Sequence, residues 1–301
     1  MLYVLESKLG DLLRQPGVTD LLVNSHREIY LGRSTRPLEK VDSPFESESE
    51  LAQLAQSWAA GSGKNLDQAH PFADIIAEKF RIHAVLGSAC SSSTRLSIRV
   101  HAERQFALDE LVSLGSLTAE QATFLRAIVK RRESFLISGA TGSGKTTLLR
   151  AMLMEATSDR ILALEDNSEL QIQSGHFVSL TTRTANVEDK GAIGLDRLLH
   201  EALRMRPDRL VIGEVRSGEL LTLLSALNTG HQGAGATIHA NSLSALPARL
   251  EAIAALAKLP IDQLGRLVSS AFAWCIQLEN HQIVEIGKFG DTELAVQSVW
   301  P

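Results

Sequence analysis

Gly139-Ala140-Thr141-Gly142-Ser143-Gly144-Lys145-Thr146 decides the reading of this chain. Phe135-Leu136-Ile137-Ser138 precedes it and an apolar-periodic run over 146–156 follows. The pattern Gly-x4-Gly-Lys-Thr, set between a buried strand and a helix, is that of a phosphate-binding loop. Its glycines let successive backbone N–H groups curl round phosphate oxygens, where a Cβ would obstruct them. The helix behind the loop turns its positive end toward the anion. Lys145 is expected to bring charge to the β- and γ-phosphates of a nucleotide, and Thr146 a hydroxyl to Mg2+.

Outward from the loop, short apolar strands alternate with helices. Strands are expected at 161–164, 177–180, 210–213 and 235–239, and helices at 118–130, 195–205 and 220–227. Thr118, with Gln121 three residues on, is a plausible N-cap for the first of these helices. Near-continuous apolar strands of this kind build a parallel sheet covered on both faces. Further helices are expected at 246–256 and 261–269, then β-type runs at 273–278, 283–288 and 294–299.

The first hundred residues read as a small α+β unit. A helix at 5–13 stops at Pro16-Gly17. Strands at 20–23 and 28–31 flank Asn24-Ser25. Ser47 and Glu50 have capping-box spacing ahead of a helix at 51–60. Alternating strands at 81–85 and 95–100 are separated by a serine-rich stretch, 88–94. The expected organisation is an N-terminal α+β domain over 1–100, a linker over 101–112 with its irregular part at 101–108, and a P-loop domain over 113–301.

The 301 residues are 44% hydrophobic and 22% charged, the profile of a globular chain with a full-sized core. A net charge of −5 gives no global attraction to nucleic acid. Cys90 and Cys275 cannot make a four-thiolate zinc site, and low cysteine use fits a reducing cytosol. The N-terminus lacks the basic and apolar regions of a signal peptide. No window of ~18 apolar residues suits a membrane span. Any membrane contact is therefore expected through a partner.

Several side chains outside the loop could carry chemistry. Glu214 ends an apolar strand, and Glu165 and Asp166 hold the same kind of position; such an acid can serve Mg2+ or polarise a water, or simply cap a helix or pair on the surface. His231 and His239 flank Gly230-His231-Gln232-Gly233-Ala234-Gly235, either sensing a γ-phosphate or serving as hydrogen-bonded structural histidines. Arg81, Arg95 and Arg99 lie on early strands, either solvated and paired or reaching a phosphate as arginine fingers do.

Together these stretches resemble the secretion-superfamily ATPases of type II and type IV secretion and of type IV and tight-adherence (Flp) pili. The resemblance covers nearly the whole chain. The Walker A loop is 139–147, taking in Thr147. Ile161-Leu162-Ala163-Leu164-Glu165-Asp166 is similar to the family's Asp box, and 206–216 to its glutamate-type Walker B. Thr229-Gly230-His231 through Ala236-Thr237-Ile238-His239 is similar to its His box. Thr182-Arg183-Thr184-Ala185-Asn186-Val187-Glu188 and 202–208 resemble the tight-adherence branch, and the lack of a four-cysteine module argues against the type II branch. The resemblance implies a RecA-like P-loop domain that binds Mg2+ and ATP, with a homo-hexamer holding nucleotide at domain and subunit interfaces. Glu214 is then the leading acid for activating water, Glu165 the second. Arg81 and Arg99 face the γ-phosphate, and His231, His239 and Arg183 contact nucleotide. The expected location is cytoplasmic, at the inner face of the membrane beside a platform protein. Powering pilus assembly or secretion is the expected work. A conjugation-type nucleic-acid motor and a non-hydrolysing nucleotide-gated scaffold are the alternatives.

Overall fold

Two sheets, each with its own apolar core, account for the chain. The computed structural model describes residues 4–33, 36–77, 79–87, 91–100, 105–172, 175–183, 191–256, 259–290 and 294–300. Cys90, part of the serine-rich stretch, the head of the linker and the segment 184–188 lie outside the described residues. The chain divides into two units between Val100 and Gln105.

The first unit holds α1 (Gly10–Leu13), β1 (Val18–Ser25), β2 (Glu28–Arg33), β3 (Arg36–Val41), α2 (Glu48–Gly61), β4 (Phe72–Ala77), β5 (Phe80–Val85) and β6 (Arg95–Val100). Its sheet is antiparallel, in the order β3-β2-β1-β6-β5-β4. Alternation puts Leu21, Val23, Ile29, Leu31, Ile75, Ile82, Leu96 and Ile98 on the buried face, in one core with Leu51, Ala55 and Trp58 of α2. Ser47 caps α2 as expected, its side chain accepting from Glu50 N at 3.3 Å.

Two strands and a helix boundary here depart from the sequence reading. β3 is Arg-Pro-Leu-Glu-Lys-Val, exposed along almost its whole length. As an edge strand it needs no apolar alternation and tolerates proline. β4 was also not anticipated, since its apolar residues run together and two of them, Phe72 and Ile76, face outward. The helix expected over 5–13 is only α1. Ser7 draws the backbone before it into a turn, donating to Val4 O at 2.6 Å and accepting from Leu9 N at 3.2 Å.

The second unit holds α3 (Leu108–Ser113), α4 (Ala119–Lys130), β7 (Phe135–Gly139), α5 (Lys145–Met154), β8 (Arg160–Glu165), β9 (His176–Thr181), α6 (Leu195–Ala202), β10 (Arg209–Val215), α7 (Glu219–Asn228), β11 (Gly235–Ile238), α8 (Leu246–Leu256), α9 (Ile261–Ala271), β12 (Trp274–Glu279), β13 (Gln282–Phe289) and β14 (Val296–Trp300). α3 corrects the linker: residues 108–112 are helical, because Leu108 and Leu111 give that stretch a buried face and Glu110 accepts from Ala107 N at 3.0 Å. Thr118 and Gln121 form the expected capping box on α4, at 3.1 and 2.9 Å.

The strand order is β14-β13-β12-β7-β11-β10-β8-β9. β12, β7, β11, β10, β8 and β9 are parallel, and β13 and β14 extend one edge antiparallel. Separate apolar clusters cover the faces, one including α6 to α9 and the other α3 to α5. At the amino ends of β8 and β10, the Arg209 guanidinium is buried. It donates to Asp159 at 2.6 Å, Val129 O at 2.7 Å and Gly233 O at 3.2 Å. The carboxyl ends of the same strands, where parallel sheets receive ligands, carry the site described next.

Candidate functional site

The loop between β7 and α5 has the geometry of an anion cradle. Gly144, at the N-cap of α5, has φ +97° and so must be glycine-like, and no side chain caps the helix. The first N–H groups of a helix have no intrahelical partner, so they are left for an external acceptor. Ser143 Oγ is buried without a hydrogen-bond partner. A Cβ on Gly139 would come within 2.6 Å of Leu278 O, so that position too is closed to side chains. Lys145 lies inside, donating to Gly139 O at 2.9 Å and Ala140 O at 2.7 Å. Burial lowers its affinity for the proton, while the charge of Glu214 raises it; burial prevails.

From Lys145 a chain of polar contacts crosses the strand ends. Lys145 Nζ is 3.4 Å from His239 Nδ1, and His239 Nε2 is 3.1 Å from Glu214 Oε1. A lysine ammonium can only donate, so Nδ1 accepts and Nε2–H donates to the carboxylate. The neutral ring this requires fits its surroundings: burial and the nearby Lys145 charge both disfavour protonation of His239. Arg216 then donates to Glu214 Oε2 at 2.7 Å and to Asp166 Oδ2 at 2.6 Å. Burial alone would push the Glu214 carboxyl up. The Arg216 hydrogen bond and charge, with His239 and Lys145, hold it below the usual carboxylate range. Arg216 is correspondingly pushed up by its bond to Glu214.

A local irregularity presents Glu214. The β10–β11 register runs Ile212↔Ala236 then Val215↔Ile238, so Gly213 and Glu214 oppose one residue, Thr237. Thr237 Oγ1 bonds Gly213 O at this bulge. Bulges of this kind redirect a side chain. Beyond it, the Glu219 carboxylate accepts from the backbone N–H groups of Arg216 and Ser217, fixing the turn that carries Arg216.

The other expected residues fall elsewhere. Glu165 is buried beside Gly213, but its carboxylate is taken by Glu169 N at 3.0 Å, Leu170 N at 2.9 Å and Ser179 Oγ at 3.1 Å. Burial raises its pKa despite these bonds. It braces the stretch after β8, while its neighbour Asp166 joins the network. His231 donates from Nδ1 to Ala226 O at 3.2 Å, closing the end of α7. Arg183 pairs through its backbone with Ile193 and donates from Nε to Gly191 O at 2.7 Å. Among the described residues no side-chain hydrogen bond occupies the Thr146 or Thr147 hydroxyl.

In the first unit, Arg81 and Arg99 are directly opposed on β5 and β6. Like charges opposed across strands cost stability. Arg99 is offset by Asp20, 3.5 Å from its Nε.

Arg216 and Glu219 were not assigned roles from sequence. One signal was present: Arg216 is two residues from Glu214, the spacing that returns to the same face of a strand. Another was Glu219 three residues after Arg216, the spacing of a carboxylate that reaches back to a helix-capping N–H.

The cradle suits a phosphate chain: unpaired helix N–H groups, an orphaned hydroxyl and an inward ammonium converge on it. For Mg2+ the protein offers one hydroxyl, Thr146, and the acid Glu214. Among the described residues no group of three or more His, Cys, Asp or Glu could hold a metal ion.

The profile of the family "Type II/IV secretion system protein" matches residues 76–281. A "Putative conjugal transfer protein" of Mycobacterium tuberculosis is 37% identical over 304 residues, spanning 97% of this chain and 86% of the relative. The crystal structure of the VirB11 ATPase from the Brucella suis type IV secretion system aligns with TM-score 0.51 at 24% identity, over 95% of this chain and 97% of that one. The Legionella pneumophila ATPase DotB aligns with TM-score 0.63 at 19% identity, over 91% and 78%. Both solved structures share the fold: an antiparallel N-terminal sheet unit and a second unit with a mainly parallel sheet.

Proposed function

The chain belongs to the type II/IV secretion system protein family, and on that premise we propose that it is a Mg2+-dependent ATP hydrolase powering a secretion, conjugal transfer or pilus-assembly machine. The observation that carries the hydrolase reading is the continuous chain from Lys145 through His239 to Glu214. It links the phosphate cradle to a carboxylate kept ionised at neutral pH.

In this reading the triphosphate displaces the Gly139 and Ala140 carbonyls from Lys145, whose ammonium turns to the β- and γ-phosphate oxygens. Backbone N–H groups of the loop and of α5 hold the same oxygens. Thr146, with Glu214 through water, would hold Mg2+, which would neutralise phosphate charge there. Glu214 orients the attacking water and accepts its proton. His239 feels the terminal phosphate through Lys145, because Nδ1 loses its donor when the ammonium moves. Thr147 joins the cradle. Arg81 and Arg99 of the first unit are our candidates for stabilising charge that develops on the transferred phosphoryl group. Glu165 supports the site from behind; we do not assign it the proton.

We further propose that the working form is a homo-hexamer at the cytoplasmic face of a membrane, engaged by an integral platform protein. Among the described residues no helix is long and apolar enough to cross a membrane, so contact through a partner is the simplest arrangement. ATPase rate per monomer against protein concentration, alongside solution mass, tests both statements. The expected rate climbs cooperatively as hexamers form and vanishes in Lys145→Ala. A rate per monomer indifferent to assembly would remove an active site completed across subunits, a solution mass that stays monomeric would remove the hexamer, and a rate unaffected by Lys145→Ala would remove the hydrolase.

The conjugal transfer name of the M. tuberculosis relative favours a second reading, direct translocation of nucleic acid. The net charge of −5 counts against it. Tight DNA binding that falls steeply with salt would put it first.

A further inference from the structure

His281 sits against the phosphate loop on the side away from Glu214. In the sheet, β7 lies between β11 and β12. Glu214 and His239 stand at the β10 and β11 ends. The β12–β13 hairpin stands on the other flank of the loop. Its turn is Asn280-His281, between the paired residues Glu279 and Gln282. Both turn residues are left-handed, with φ +48° and +67°. Such a two-residue turn is easiest with glycine second. A histidine there is held at a cost, and side chains held so cluster at functional sites.

The ring has a definite neighbour. A Cβ on Gly144 would lie 3.2 Å from His281 Nδ1. Among the described residues no hydrogen bond occupies either ring nitrogen, and the residue is exposed. An unpartnered donor–acceptor ring therefore borders the N-cap of α5, where the cradle opens.

We propose that His281 contacts the ribose of the bound nucleotide, so that this hairpin gives the site its preference for nucleoside triphosphates over bare polyphosphate. The inference rests on the nucleotide reading of the loop. A triphosphate whose terminal phosphate points to Lys145, His239 and Glu214 emerges from the cradle on the opposite flank. That flank is where His281 offers a hydrogen bond to a ribose hydroxyl. None of the motifs that identify the loop includes this residue.

Calorimetric titration of ATP and of inorganic tripolyphosphate into wild type, His281→Gly and Lys145→Ala tests it. Glycine suits the turn, so His281→Gly is expected to melt no lower than wild type. It should bind ATP about five- to tenfold more weakly, the loss of one hydrogen bond, with tripolyphosphate affinity unchanged. Lys145→Ala should lose both. Unchanged ATP affinity in His281→Gly overturns the proposal, as does an equal loss for both ligands. If wild type binds ATP no better than Lys145→Ala does, the nucleotide reading itself fails and takes this one with it.

Discussion

Arg216 Nη2 lies 2.7 Å from Glu214 Oε2, while its Nη1 lies 2.6 Å from Asp166 Oδ2. One guanidinium thus ties together the acids at the ends of two neighbouring strands. It is also the largest influence holding Glu214 below its ordinary value against the upward push of burial. A pair whose guanidinium is half in solvent adds little stability; its effect falls on the protonation of Glu214.

Arg216→Ala is therefore a test of pH dependence. With the guanidinium gone, burial dominates and Glu214 takes up its proton at higher pH. The acid limb of the kcat profile should move upward, with nucleotide affinity at pH 8 little changed. The linkage has the matching sign. In wild type Glu214 adds stability above its unfolded pKa, near 4.5, and this is lost as pH falls through its lower folded value. An acid limb that stays in place in the variant would show that Arg216 does not set the ionisation.

Glu214→Gln and Glu165→Gln should separate turnover from architecture. Glu214→Gln keeps the shape of the side chain but cannot take a proton, so ATP should still bind while turnover falls by 10²-fold or more. Glu165→Gln disturbs a carboxylate that accepts two backbone N–H groups and a hydroxyl. A carboxamide oxygen can keep both N–H bonds, while its NH2 meets Ser179 Oγ only if the hydroxyl turns round to accept. Urea unfolding should show a loss of about 1 kcal/mol or less, with turnover little changed. Equal kinetic damage in both variants would restore Glu165 to the chemistry.

Gly213→Ala probes the bulge. A Cβ there would stand 3.2 Å from Glu165 Cγ, and Glu165 is pinned by three hydrogen bonds, so the strand must give way. Glu214 should shift with it. kcat is expected to fall at least tenfold while ATP affinity stays within about twofold, a split readable from steady-state rates and calorimetry together. A kcat within twofold of wild type would mean that the bulge does not aim the acid.

Asp159→Ala concerns stability alone. It leaves the Arg209 guanidinium, 2% exposed, without its carboxylate. Removing one partner of a buried pair costs about 3–5 kcal/mol, read from the denaturation midpoint. The nucleotide site is built at the other ends of the strands, so ATP affinity of the folded fraction should be unchanged. A loss under 1 kcal/mol would mean that water reaches Arg209 after all.

The second unit was the more legible in sequence because a doubly covered parallel sheet writes itself in apolar runs. Ile161 to Leu164 needed only its unbroken apolar run, and Leu246 to Leu256 its helical period. β3 escaped because an edge strand owes nothing to a core on its own residues, and Pro37 argues against a strand of any other kind. Leu108 to Val112 read as a connection because it follows a polar, irregular stretch and is too short to show a helical period, though Leu108 and Leu111 are buried. The phosphate loop could be read residue by residue, since each glycine answers a local steric demand. The choice between Glu165 and Asp166 could not. Adjacent acids at a strand end point in different directions, and which one meets Arg216 depends on β10, more than forty residues on.

The strand that carries the phosphate loop also has a place in the timing of synthesis. Ser138 hydrogen-bonds Gln277 across the β7–β12 pairing, and 139 residues separate the two. At ~5–20 residues per second, a ribosome would need roughly 7–28 s between them. For that interval β7 lacks one of its two neighbours. The loop that β7 carries is therefore flanked on one side alone until Gln277 has been made. A fragment ending before Trp274 would carry every residue of the loop over 139–146 without the strand that closes the other flank of β7.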